Sequence, residues 1–214
     1  MGRKAAAGEA AGALRRRPSQ KRSRERVGRM LDCAADLIAR DGADALRMSA
    51  VAERAGVSIG SLYQYFPDKS ALIHGLAERY FEAGRRCIAE GLAPVRTEDG
   101  LIEAFSGLVD IYLAMFRQDP AMAQVRAGVL ADPALGALEV ADVRETGALL
   151  ADALARVAPT GERARLARHA LILMQSGESA MRLALSLPDA EADALIAAYK
   201  EMAAAEIRRL CAPT

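Results

Sequence analysis

The chain has 214 residues, 52% of them hydrophobic but only 4% aromatic, and a formal net charge of +1. No apolar run reaches the roughly 18–20 residues of a membrane span, and the start of the chain lacks the apolar segment of a signal peptide. Cys33, Cys87 and Cys211 are odd in number and scattered, so they propose neither a disulfide framework nor a metal site, which suits a reducing cytoplasm.

A core of Ala, Leu, Val and Met with no long alternating pattern predicts an all-α protein of about nine helices. Residues 1–29 hold ten basic side chains against Glu9 and Glu25, so they carry +8 and the remainder −7. Residues 1–18 read as a disordered basic arm, whereas Arg15 to Arg29 leads into the first helix and suits phosphate contact. That helix is predicted over about 19–40, with Val27, Met30, Leu31, Ala34, Leu37 and Ile38 as its apolar stripe and Asp41-Gly42 as its end. Two short helices follow, over about 48–55 and 58–65. Asp68, after Pro67, caps a fourth that runs to about Gly91.

Thr97 caps the fifth helix and places Glu98 and Asp99 in its first turn, where the helix dipole favours acids. Asp119-Pro120 opens a short sixth, Asp132-Pro133 a long seventh to about Val157, and Pro159-Thr160-Gly161 breaks the pattern. The last two helices are predicted over about 162–185 and 189–209. These elements divide into an arm (1–18), a helix-turn-helix domain (19–66), a connecting helix (67–92) and a larger second domain (93–214).

The stretch AERAGVSIGSLYQYFPDK, residues 52–69, names a ligand. Ala52 is small enough for two helices to cross, Gly56 tolerates the left-handed conformation of a tight turn, and Leu62 anchors the second helix from beneath. That spacing defines a helix-turn-helix, whose second helix enters the DNA major groove. Ser58 caps that helix and Gly60 leaves it room to approach a backbone. Ile59 and Gln64 are the candidates for reading bases, since Gln matches adenine edges and Ile can touch a thymine methyl. Lys69 is a cation in a helix's first turn, which a nearby phosphate explains.

Ala52, Ala55, Gly56, Val57, Ser58, Gly60, Leu62, Tyr63, Tyr65, Phe66 and Lys69 together make the chain resemble the tetracycline-repressor (TetR) family of bacterial transcription regulators. The resemblance is specific over about residues 22–76 and rests on helix order beyond. It implies that Ser61, Tyr63 and Tyr65 donate to phosphates. The alternative is that Tyr63, Tyr65 and Phe66 pack the small domain, which suits Phe66 and in part Tyr63. Arg22 and Arg26 join the phosphate contacts. Arg47 stands where the family usually has Ser or Thr opening the first helix of the pair, and Ser49 is expected to donate to a phosphate in its place. Ile59 stands where many relatives are polar or basic.

One helix-turn-helix reads one half-site, so a two-fold dimer on a near-palindromic double-stranded operator is expected. The resemblance implies that the last two helices form the homodimer surface, with Leu171, Met174, Met181, Leu185, Leu195, Tyr199, Met202 and Ile207 supplying apolar area and Gly177 and Ala180 allowing close approach. The second domain is large enough to enclose an apolar pocket for a small effector of unknown identity, with Phe105, Tyr112, Met115, Phe116, Met122 and Met174 as wall candidates and Gln175 and Glu178 as polar ones. Each apolar residue taken singly also fits ordinary core. His74 and His169 lack the spaced partners of a metal site, and no nucleophile elbow, phosphate loop or dinucleotide fingerprint is present. The reading is therefore a cytoplasmic, non-enzymatic regulator without cofactor or membrane partner: a homodimeric repressor released by a small apolar effector. A ligand-independent DNA-binding regulator or architectural protein is the alternative, and an enzyme or lipid carrier with an incidental basic head the more distant one.

Overall fold

A computed structural model describes residues 10–131, 135–158 and 162–212. Among them there are nine α-helices and no strand: α1 (Ala10–Asp41), α2 (Met48–Arg54), α3 (Ile59–Tyr65), α4 (Lys69–Leu92), α5 (Glu98–Gln118), α6 (Pro120–Ala131), α7 (Gly136–Val157), α8 (Arg163–Ala184) and α9 (Asp189–Cys211). The expected all-α order is present. The largest difference is at the start, where α1 begins at Ala10 instead of near Ser19, in a stretch rich in Ala and Arg, both strong helix formers. The arm expected at 1–18 therefore falls partly inside α1, and residues 1–9 lie outside the described residues. The predicted opening of the seventh helix at Asp132-Pro133 and the break at 159–161 also lie outside them.

The punctuation follows the capping residues. Gly42, at φ 90°, ends α1 with its N–H on the Ile38 carbonyl at 2.9 Å. Asp68 caps α4 by accepting the Ala71 N–H at 2.7 Å, and Thr97 caps α5 by accepting the Gly100 N–H at 3.1 Å. A C-terminal carbonyl of α4 finds a side-chain donor too: Arg156 of α7 reaches the carbonyl of the buried Leu92 at 2.6 Å.

The chain divides into two compact units between Gly75 and Leu76, within α4, so the helix set apart in the sequence as a connector contributes to both. In the first unit the α1 stripe of Met30, Leu31, Ala34, Leu37 and Ile38 is buried with Leu46, Val51, Ala52, Leu62, Phe66 and Leu72. Gly75 lets the Phe66 ring lie against α4: a Cβ there would meet the ring edge at 3.0 Å.

The second unit is a bundle whose core joins α5, α7, α8 and α9. The α7–α8 pair packs most extensively. Gly147 explains why, since a Cβ there would stand 3.2 Å from the Leu171 Cα. Met181, Tyr199 and Ile207, expected in the sequence to form a dimer surface, are buried in this core; they fall on the inward stripes of α8 and α9. Gly177, expected to admit a second subunit, admits Tyr199 instead: a Cβ would lie 2.5 Å from the phenol oxygen. That hydroxyl donates to the Leu173 carbonyl at 2.6 Å. The large apolar side chains left exposed on α8 and α9 are Leu171, Ile172, Leu183 and Met202, the last 72% accessible.

Candidate functional site

The turn between α2 and α3 is built by backbone chemistry. Gly56 sits at φ 65°, the Val57 N–H returns to the Ala52 carbonyl at 3.0 Å, and the Gly56 N–H returns to the Glu53 carbonyl at 3.1 Å. This pair of bonds is the Schellman closure of a helix end, which needs a residue free to adopt the left-handed region. Ser58 then caps α3, its hydroxyl oxygen accepting the Ser61 N–H at 3.1 Å. A hydroxyl that accepts here still holds a proton to donate elsewhere. At the other helix start, Arg47 stands at the N-cap of α2 in extended conformation and makes no side-chain cap bond, so the departure noted in the sequence leaves that helix uncapped.

Leu62 is fully buried under α3, while Ser58, Ile59, Gly60, Tyr63 and Gln64 face solvent. Ile59 is 43% and Tyr63 48% accessible, so both side chains are open to a partner from solvent. A Cβ at Gly60 would meet nothing within 4 Å, so the missing side chain serves no internal packing. Arg22, Arg26 and Ser49 are exposed as well. Ser61 and Tyr65 are half-buried, and the Tyr65 phenol pairs with the Ser23 hydroxyl of α1 at 3.2 Å. Lys69, half-buried, donates to the Asp44 carbonyl at 2.9 Å, tying the start of α4 to the loop before α2. An ammonium has three donors, so this bond leaves two for another partner. Phe66 is buried as core.

The second unit holds a cavity of about 60 Å³ bounded by α4, α5, α6, α7, α8 and α9. Phe105, Tyr112, Met174 and Glu178 of the sequence candidates line it. Met115, Phe116, Met122 and Gln175 do not: Met122 is 1% accessible core, and Phe116 makes a T-shaped contact with Tyr112, ring centres 5.1 Å apart. The periodicity that marks an apolar stripe does not distinguish its cavity side from its core side.

Of the polar end of the cavity, Glu178 was expected from the sequence, whereas Arg126 and Asp142 were not. Arg126 of α6 is only 6% accessible. Its Nε donates to Glu178 at 2.9 Å and its Nη2 also pairs with that carboxylate. The guanidinium stacks over the Phe81 ring at 4.6 Å and lies 6.0 Å from the Tyr112 ring centre. Its third nitrogen, Nη1, is buried with no hydrogen-bond partner. Asp142 of α7, also buried, accepts from Arg85 of α4 at 2.5 Å; burial pushes its carboxyl above the ordinary aspartate value, with Arg85 and Arg126 opposing. Burial likewise raises the Glu139 carboxyl, helped by the charge of Glu178. Thr146 keeps its hydroxyl satisfied on the Asp142 carbonyl at 2.9 Å. One signal was available in the sequence: Arg126 is the lone charge in the apolar run PAMAQVRAGVLA. Among the described residues, no cluster of His, Cys, Asp or Glu is arranged to hold a metal, and no helix is long and apolar enough to cross a membrane.

An exposed recognition helix on a three-helix head, followed by a separate helical bundle, defines a helix-turn-helix transcription regulator. Comparison with known proteins makes the class specific. Residues 30–76 match the family described as bacterial regulatory proteins, tetR family, and residues 99–210 match the tetracyclin repressor-like C-terminal domain. The HTH-type transcriptional repressor KstR of Rhodococcus jostii (strain RHA1) is 32% identical over 156 residues, which span 70% of this chain and 69% of that protein. KstR of Mycobacterium tuberculosis (strain ATCC 25618 / H37Rv) is 31% identical over 153 residues, 68% of this chain and 66% of that protein. A crystal structure of a TetR-family transcriptional regulator from Streptomyces coelicolor superposes with a TM-score of 0.67 at 28% identity, covering 86% of this chain and 99% of the other. The chain belongs to the tetR family and is a DNA-binding transcriptional repressor, not an enzyme.

Proposed function

We propose that the protein represses transcription as a homodimer on a near-palindromic operator, and that a small, largely apolar effector bound in the second unit releases it. The observation that carries the DNA half is the bare outer face of α3, where Ile59, Gly60, Tyr63 and Gln64 meet solvent while Leu62 alone is fully buried. On this reading Gln64 and Ile59 touch base edges, and Ser61, Tyr63, Tyr65, Lys69, Arg22, Arg26 and Ser49 hold phosphates. Two heads then sit roughly 34–36 Å apart, or a multiple of that, on successive major grooves. The exposed Leu171, Ile172, Leu183 and Met202 on the last two helices support pairing there. The site of action is the cytoplasm, where the DNA lies.

The effector half rests on the cavity. Its small volume favours the rival reading, a repressor with no ligand, because drug-sized ligands occupy roughly 300–1,000 Å³. The partnerless buried Arg126 nitrogen weighs the other way, since such groups are rare without a role. The deciding experiment is a footprint and mobility shift on the DNA upstream of the protein's own gene, repeated with a small-molecule panel. A protected, two-fold symmetric site bound by two copies is expected. Retardation no stronger than that of random DNA at equal salt refutes the operator reading, and indifference to every compound favours the ligand-free repressor.

A further inference from the structure

Resting on the effector reading above, we infer that the cavity takes an apolar ligand bearing one uncharged oxygen, a carbonyl or a hydroxyl, which accepts the free N–H of Arg126. Arg126 borders the cavity, is almost wholly buried, and is held on one edge by Glu178. That grip fixes the guanidinium plane and leaves Nη1 as a donor with no acceptor. Leaving a charged buried donor unmade costs more than a typical hydrogen bond returns, so an acceptor arriving there is strongly favoured.

Charge balance chooses among acceptors. Glu178 already neutralises Arg126, Asp142 and Glu145 already hold Arg85, and Glu139 adds a fourth carboxyl that interacts with Glu178, Arg126 and Arg182, so four acids stand against three arginines. A carboxylate ligand would bring a further negative charge into this low-dielectric cluster and meet repulsion. An amine has no acceptor to offer once protonated. A neutral oxygen satisfies the N–H without disturbing the balance, and a hydroxyl can also donate to Asp142. The remaining walls, among them Phe105, Val109, Met174 and Met181, are apolar, and the two methionines can shift to enlarge the space.

The test is a ligand-observed NMR titration of the full-length protein with five probes of one ring size: acetophenone, benzyl alcohol, benzoate, benzylamine and toluene. Acetophenone and benzyl alcohol are expected to bind at least about tenfold more tightly than toluene, the contribution of one hydrogen bond to a charged donor, and benzoate more weakly than acetophenone. Arg126→Lys keeps the cation for Glu178 but loses the rigid second edge of the fork that holds Nη1 in place, so the advantage of acetophenone over toluene shrinks. Glu178→Gln removes one anion and is expected to strengthen benzoate about tenfold. If Arg126→Lys fails to fold, the Glu178→Gln arm and the Arg126 Nη proton resonance, which should move with acetophenone but not toluene, decide the matter. Toluene binding as well as acetophenone, benzoate binding best, or benzoate indifferent to Glu178→Gln overturns the assignment of a neutral oxygen while leaving a pocket. Binding by none of the five overturns the assignment and removes the support for an effector site, with operator retardation in the same sample standing apart.

Discussion

Gly60→Ala separates folding from DNA binding. Gly60 has an ordinary helical backbone, since the positive-φ glycines among the described residues are Gly42 and Gly56 alone, and a Cβ there meets no protein atom within 4 Å. The methyl therefore creates no strain, and replacing glycine in a helix stabilises by about 0.5–1 kcal/mol at most, through the smaller entropy lost on folding. For a small domain that is roughly 2–8 °C in Tm. If the outer face of α3 lies against DNA, the same methyl occupies space the duplex needs. Overpacking of a fitted contact costs about 1–3 kcal/mol, a loss of roughly five- to 150-fold in affinity. No phosphate contact is removed, so the salt slope stays that of the wild type. Differential scanning fluorimetry and fluorescence anisotropy on one preparation read both effects. Operator affinity equal to wild type would show that α3 does not approach DNA closely at this point, and a fall in Tm would show that the position is not open as described.

Arg47→Ser supplies the side-chain acceptor missing at the α2 N-cap and should raise stability by about 0.5–2 kcal/mol in urea unfolding. Gln64→Ala is expected to relax base choice in a binding-site selection, whereas Lys69→Ala weakens all sequences alike and makes the salt slope shallower by roughly 0.9; identical behaviour of the two would refute the division between reading and positioning. Gly177→Ala drives a methyl into the Tyr199 phenol and should cost about 2–4 kcal/mol by overpacking and loss of the bond to the Leu173 carbonyl, with a less-than-additive cost in the Tyr199→Phe background measured by a double-mutant cycle. Asp142, whose carboxyl is held above its ordinary value of 3.8 by burial, keeps its proton in the native state after the unfolded chain has released it. Its contribution to stability therefore falls as pH rises from about 3.8 through the raised native value, and Asp142→Asn should flatten that part of the profile in urea titrations at stepped pH.

The DNA-reading head was legible because its constraints are local. A left-handed turn at Gly56, a cap at Ser58 and one buried leucine are properties of short stretches, and the structure places each where the spacing put it. Lys69 and Tyr65 show where local reasoning stops. Both have partners far along the chain, Asp44 and Ser23, which no spacing within 52–69 announces. The second unit was legible in its helix breaks and not in its cavity. Whether a methionine or phenylalanine faces a void depends on which of several helices packs against it, so Met174 and Met122 look alike in sequence and part company in space. Tyr199 was misplaced for the same reason: a tyrosine on a terminal amphipathic helix reads as an interface residue until the gap left by Gly177 of another helix is seen to receive it.

The cavity's boundary bears on how a ligand would act on DNA binding. Gly84, Cys87, Ile88 and Leu92 of α4 form part of its wall, and Arg85 of the same helix is held by Asp142 and Glu145 at 2.5 and 2.9 Å. A space of about 60 Å³ is well below the roughly 150 Å³ of an engineered cavity that admits benzene. Under the proposed reading, then, even a single ring enters only by displacing a wall, and the α4 segment is one of the walls available to move. That helix is continuous from Lys69 to Leu92, so its first turns carry Lys69 and Leu72 in the DNA-reading unit. A ligand preferring the enlarged state needs a differential affinity of only about 1–3 kcal/mol to loosen the operator roughly five- to 150-fold.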